Sequence, residues 1–77
     1  MQRDELDKGM PWLLKALDLN PSDPWPMAKL ATCYQRKGDV AKAEKWAAAT
    51  LQNKAPTLDR QEAQGVLNWA KTLPHNP

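Results

Sequence analysis

The feature that most constrains the fold of this chain is a regular spacing of apolar residues in its middle third. Met27, Leu30 and Tyr34 recur at intervals of three and four residues, which places them on one face of a helix. Gly38 and Asp39 follow. A glycine can end one helix in the left-handed conformation, and an aspartate can cap the next. The turn between these two helices is therefore short, and the sequence predicts an antiparallel pair.

The second helix of this pair is indicated by small side chains and a terminal proline. Ala43, Ala47 and Leu51 share a helical face, and Pro56 ends the segment. Together the two helices resemble the tetratricopeptide repeat, in which Trp-x-x-Leu-Gly-x-x-Tyr is followed by Ala-x-x-x-Phe and Pro. Met27 stands where the family has tryptophan, and Ala47 where it has an aromatic residue.

The same pattern recurs at a fixed offset on both sides of the central pair. A shift of 34 residues places Trp12 on Trp46, and a shift of 35 places Tyr34 on Trp69. Residues 16–21, Ala-Leu-Asp-Leu-Asn-Pro, match the ending of such a repeat. By this resemblance the chain holds the second helix of a partial repeat at 4–21, a complete repeat at 22–56, the first helix of a further repeat or a capping helix at 57–73, and a frayed tail at 74–77.

The fold class predicted from these patterns is all-α, with four helices at 4–19, 24–37, 40–53 and 59–73. The resemblance implies that the antiparallel hairpins stack as a right-handed α-solenoid. Pro11 leaves the first helix open to two readings: the helix kinks there, or regular helix begins at Met10. Asp59 with Glu62 three residues later has the spacing of a capping box, which predicts that the fourth helix begins at Asp59.

Composition argues against catalysis. The 77 residues are too few to bury an enclosed active site, and the net charge of +2 gives no strong field for nucleic acid or a membrane. His75 is the one histidine and falls in the terminal tail, so neither a nucleophile–base pair nor a metal site can be assembled around it. Cys33 is interpreted as a small core residue. The sequence predicts no catalytic residue, metal ion or cofactor.

Partner binding is the function that the resemblance implies. The first helix of each hairpin lines a concave groove in such repeats, and a tryptophan and an arginine are residue types enriched at interface hot spots. Ala28 and Thr32 occupy groove positions where some family members use lysine and asparagine to clamp a terminal carboxylate, so that activity is not carried over. By the resemblance, Ala28 also faces the groove and Lys29 lies near its edge. The residues predicted to bind a protein or peptide are Trp25, Lys29, Thr32, Gln35 and Arg36. The alternative is that Trp25 merely covers a turn and Arg36 merely solvates a helix end.

Two other functions remain open at this point. The first is self-association as a homodimer, through apolar residues of the last helix or of the first helix, namely Leu6, Met10, Leu13, Leu14 and Leu17. The second is RNA binding by helical repeats, which the near-neutral charge disfavours. Trp12 and Trp46 share one register position, so both are expected to pack on the convex side or between hairpins rather than to stack on a ligand.

Location follows from what the sequence lacks. No apolar run spans a membrane and no signal peptide precedes the first helix, which predicts a cytoplasmic protein. If the chain is part of a longer exported protein, the periplasm or another compartment replaces that prediction.

Overall fold

A computed structural model describes residues 3–73, with side chains described from position 9 onward. These residues form four helices and no strand: α1 (Arg3–Leu19), α2 (Pro24–Lys37), α3 (Val40–Gln52) and α4 (Thr57–Thr72). The all-α prediction is confirmed. The predicted frayed tail with His75, and the side chain of Leu6, lie outside the described residues.

Capping residues set the limits of α2 and α3 as predicted. The Asp23 carboxylate accepts a hydrogen bond from the Trp25 backbone N–H at 3.2 Å, which caps the start of α2. Gly38 ends α2 with a φ of 81°, a left-handed conformation that glycine adopts without a steric penalty. Asp39 then caps α3 by accepting from the Lys42 backbone N–H at 3.2 Å. These contacts reverse the chain between α2 and α3.

The start of α1 decides between the two predictions made for Pro11. The helix runs from Arg3 through Pro11 without a break, so the reading in which regular helix begins at Met10 is wrong. A proline in a helix interior removes one backbone hydrogen bond. Pro11 is exposed, and on that side of the helix water can satisfy a backbone carbonyl freed by the proline.

The start of α4 corrects a second prediction. The helix begins at Thr57 with Pro56 as its N-terminal cap residue, and no side chain makes a capping hydrogen bond there. Asp59 lies inside the first turn and is 7% exposed, so the predicted capping box is wrong. A carboxylate in the first turn still faces the positive end of the helix dipole. Glu62 is occupied elsewhere, in contacts with α2.

Helix α2 is central: it packs against all three other helices, and α3 packs against α4. The core forms two clusters of buried side chains. One joins α1 to α2 through Met10, Leu17, Met27 and Leu30. The other joins α2, α3 and α4 through Ala31, Ala43, Ala47, Ala63 and Val66. Alanines at four of these five positions let the helix backbones approach closely, and they leave the packing to a few larger side chains around them.

Two of these tryptophans pack against the core and one is exposed. Trp46 is half-buried and packs against both clusters, and Trp69 packs against the second. Trp12, which the 34-residue offset pairs with Trp46, is 72% exposed, so it does not pack between hairpins. The reason lies in the neighbours: among the described residues, the backbone of α1 approaches only α2.

Candidate functional site

The five predicted binding residues lie along one side of α2. Trp25, Lys29, Thr32 and Arg36 are spaced by four, three and four residues, which aligns them on a helix, and Gln35 adjoins Arg36. We call these five residues the α2 stripe. Trp25 and Arg36 are exposed, and the other three are partly buried. Ala28, also placed in the groove by the family resemblance, is instead fully buried, because α2 is covered by helices on its other sides.

Trp25 is an exposed aromatic ring on a backbone with little freedom. Its side chain is 52% exposed, and its neighbours Pro24 and Pro26 restrict the main chain on both sides. Pro26 is almost completely buried, and the Asp23 cap holds the Trp25 amide. A contact made by the Trp25 ring therefore costs little conformational entropy of the backbone.

The middle of the α2 stripe is bonded to α4 through one carboxylate. Lys29 Nζ lies 2.9 Å from Glu62 Oε1, and the Thr32 hydroxyl donates a hydrogen bond to Glu62 Oε2. Lys29 Nζ also lies 5.7 Å from the centroid of the Trp25 ring, within the range of a cation–π contact. The side chains of Lys29 and Glu62 are 40% and 23% exposed, so the pair sits at the edge of the core.

Glu62 is the residue that the sequence reading missed, since its spacing from Asp59 suggested a local role. One signal could have found it. The 35-residue offset that pairs Tyr34 with Trp69 also places Glu62 on Met27, a core position. A carboxylate at a core position needs partners, because burying an unpaired charge is unfavourable. Those partners are Lys29 and Thr32.

The far end of the α2 stripe carries positive charge. Arg36 lies in the last turn of α2 and is exposed, and a cation there is favoured by the negative end of the helix dipole. Cys33 lies one turn earlier and is half-buried against the α1–α2 cluster. Burial raises the pKa of the Cys33 thiol, and the nearby Arg36 guanidinium only partly opposes this. The thiol is therefore held in its weakly nucleophilic neutral form at neutral pH.

Two concave grooves on the surface lie away from the α2 stripe. One, of about 360 Å³, is lined by Leu14, Leu17, Asp18, Pro21 and Trp46. The other, of about 300 Å³, is lined by Leu51, Thr57, Arg60, Gln61 and Gln64. Both are shallow and neither gathers convergent polar groups around an enclosed space, which is what small-molecule sites have.

Several of the apolar residues predicted for self-association pack within the chain. Met10 and Leu17 are buried against α2, and Leu13 is half-buried beside them. On α4, the apolar side chains Ala63 and Val66 are buried in the second cluster. Leu14 is 43% exposed, and the exposed apolar area of α1 also includes Trp12 and Leu19, which are 72% and 81% exposed.

The described part of the chain thus defines an all-α protein of antiparallel helical hairpins with an aromatic and polar stripe along one helix. The model of the tetratricopeptide repeat matches residues 12–45, a stretch that begins at Trp12 and ends one residue before its repeat-related Trp46. Over this stretch the chain is similar to the tetratricopeptide-repeat family, which generally mediates protein–protein interactions as a non-catalytic module.

Neither a curated protein nor a solved structure shows a significant match to the chain. Within residues 3–73, none of the helices combines the length and the apolar character that crossing a membrane requires.

Proposed function

We propose that this chain is a non-catalytic scaffold that binds a peptide or partner protein along the α2 stripe. The observation that carries the proposal is the exposure of Trp25 at one end of a surface whose middle is already ordered. Lys29 and Thr32 are held by Glu62 before any partner arrives. A partner therefore meets a surface with few side chains left to order, which reduces the entropic cost of binding.

The dimensions of the stripe suit a short extended segment. Trp25 and Arg36 are eleven residues apart on one helix, a rise of about 16 Å. An extended chain covers that length with about five residues. The Trp25 ring offers one face to an apolar or aromatic side chain, and the Arg36 guanidinium offers donors to carbonyl or carboxylate oxygens.

Binding is tested by selecting ligands from a display library of random peptides with the 77-residue chain as bait. Selected peptides are then titrated against wild-type protein, Trp25→Ala and Arg36→Ala. A hot-spot tryptophan is worth about 2 kcal/mol or more, so Trp25→Ala is expected to weaken binding by about 30-fold. Chemical-shift changes on titration should centre on α2 residues of the stripe.

The matched control is Trp12→Ala, which removes a more exposed tryptophan, 72% against 52% for Trp25, from α1. It should leave peptide affinity unchanged. If the selected peptides bind Trp25→Ala and Arg36→Ala as tightly as wild type, or if the shift changes fall on α1 or α4, the α2 stripe is not the binding surface. Circular dichroism of each variant verifies that helix content is preserved.

A further inference from the structure

Helix α1 carries apolar side chains on two opposite faces. Met10 and Leu17 face α2 and are buried. Trp12 and Leu19 are 72% and 81% exposed, and they are seven residues apart, which is close to two full turns. Ala16 lies between them, four residues after Trp12 and three before Leu19. Trp12, Ala16 and Leu19 therefore form an outward stripe on α1, on the side away from the core.

We infer that this outward α1 stripe is a weak homodimer interface, in which α1 of one copy packs antiparallel against α1 of a second copy. A two-fold interface needs a surface that complements itself. The outward α1 stripe has this property because Trp12 and Leu19 are equidistant from a point between Lys15 and Ala16. With the two-fold axis at that point, Trp12 of each copy meets Leu19 of the other. The small Ala16 side chain at the crossing lets the two helices approach closely.

The charges beside the outward α1 stripe fit the same arrangement. Lys15 and Asp18 lie on one side of it and are both exposed. The two-fold axis brings Lys15 of one copy to within about one helical turn of Asp18 of the second copy. Lys15 Nζ lies 5.8 Å from the centroid of the Trp12 ring, so the ammonium group is already near the contact. The two lysines and two aspartates sum to zero charge, and each cation has an anion within reach.

The outer face of α4 offers no comparable stripe. Its exposed positions are mostly polar, and Gln64 donates a hydrogen bond to Asn68 at 3.1 Å along that surface. Leu58 is exposed but stands alone at the start of the helix. The apolar pattern therefore favours α1 for contact between copies.

The small area of the outward α1 stripe limits the affinity of the dimer. A standard interface buries about 800 Å² on each partner, which is a large share of the 5302 Å² that this chain exposes. Two turns of α1 supply less than that. We therefore expect a concentration-dependent dimer with a dissociation constant in the range of about 10 μM to 1 mM, typical of small and transient interfaces.

The test is sedimentation of the 77-residue chain under reducing conditions over that concentration range. The mass should rise from 8.7 kDa towards twice that value. Trp12→Ala and Ala16→Arg should each raise the dissociation constant by about tenfold or more. Trp25→Ala and Leu58→Ser, which remove side chains that are also exposed, should leave it unchanged. A monomer at every concentration, or a dimer insensitive to Trp12→Ala, overturns the proposal.

A charge swap tests the antiparallel geometry separately. Lys15→Glu places like charges beside Asp18 of the second copy and should weaken the dimer. Combining it with Asp18→Lys should restore the affinity. If the double variant is no tighter than Lys15→Glu alone, the two-fold arrangement is wrong. Lys15 and Asp18 are both exposed, so helix content measured by circular dichroism should not change.

Discussion

Lys29 of α2 and Glu62 of α4 are 33 residues apart in the sequence, and their Nζ and Oε1 atoms are 2.9 Å apart. The second Glu62 oxygen accepts a hydrogen bond from Thr32. One carboxylate thus joins α2 to α4 at the middle of the proposed binding surface. The contact couples stability of the fold to the shape of that surface.

Removing the Glu62 charge should destabilise the chain. Glu62→Gln keeps an acceptor for Thr32 but loses the attraction to Lys29, and partly exposed ion pairs of this kind contribute about 0.5 to 1 kcal/mol. The midpoint of urea unfolding should fall accordingly, and the difference from wild type should shrink at high salt. Glu44→Gln, which changes an exposed carboxylate on α3, is the control and should shift the midpoint little. An equal effect of both substitutions would show that the ion pair adds nothing specific.

Substituting alanine for Gly38 and for Gly65 should change the stability of the chain in opposite directions. Gly38 has a φ of 81°, so Gly38→Ala strains the backbone and should destabilise the chain by about 1 to 2 kcal/mol. Gly65 is exposed in the middle of α4. No atom outside its own helix backbone and chain neighbours comes within 4 Å of the position that an added methyl group would take. Gly65→Ala should stabilise the chain by about 0.5 to 1 kcal/mol. Thermal unfolding of both variants measures the difference, and shifts in the same direction would contradict it.

Two leucines should differ sharply because their burial differs. Leu30 is 0% exposed at the junction of α1 and α2, whereas Leu58 is 78% exposed. Leu30→Ala removes buried methyl groups and leaves a cavity, which costs about 2 to 5 kcal/mol, a large part of the stability of so small a domain. Leu58→Ala should change the free energy of unfolding by less than about 0.5 kcal/mol. Urea unfolding followed by circular dichroism compares the two, and a mild effect of Leu30→Ala would mean that the α1–α2 cluster is loosely packed.

Cys33 should react slowly with alkylating reagents. Burial raises the pKa of its thiol above the ordinary value of 9.0, so the thiolate fraction at pH 7.5 is smaller than in an unfolded chain. Alkylation of folded protein should be slower than alkylation in urea, as measured by mass spectrometry. Equal rates would show that the thiol is not shielded.

The raised pKa of the Cys33 thiol also makes the stability of the fold depend on pH. A thiol whose pKa is higher in the folded chain than in the unfolded chain favours folding while it stays protonated. Its contribution is present below about pH 9, the ordinary pKa range of a free thiol, and is lost as pH rises through that value towards the folded pKa. Cys33→Ala should remove this component of the pH dependence of unfolding. A dependence unchanged by the substitution would assign the loss to other groups.

Local structure was largely predictable from the sequence, because short-range chemistry governs it. Asp23, Gly38 and Asp39 act on backbone groups within a few residues of themselves, and the limits of α2 follow from them alone. The spacing of Met27 and Leu30 likewise determined which side of α2 is buried. The residues of the α2 stripe were predicted from the resemblance to the tetratricopeptide repeat, and that resemblance also placed the buried Ala28 among them.

The tertiary structure decided what depends on neighbours distant in the sequence. Trp12 and Trp46 occupy equivalent positions in the repeat pattern, yet Trp46 packs against both clusters while Trp12 lies on a face that no described helix covers. Glu62 has the spacing of a local cap, but an α2 lysine and threonine lie within reach and take its carboxylate. Sequence patterns report which side chains share a face of one helix. Only the packing of helices determines which faces meet, because burial and pairing depend on contacts between separate elements.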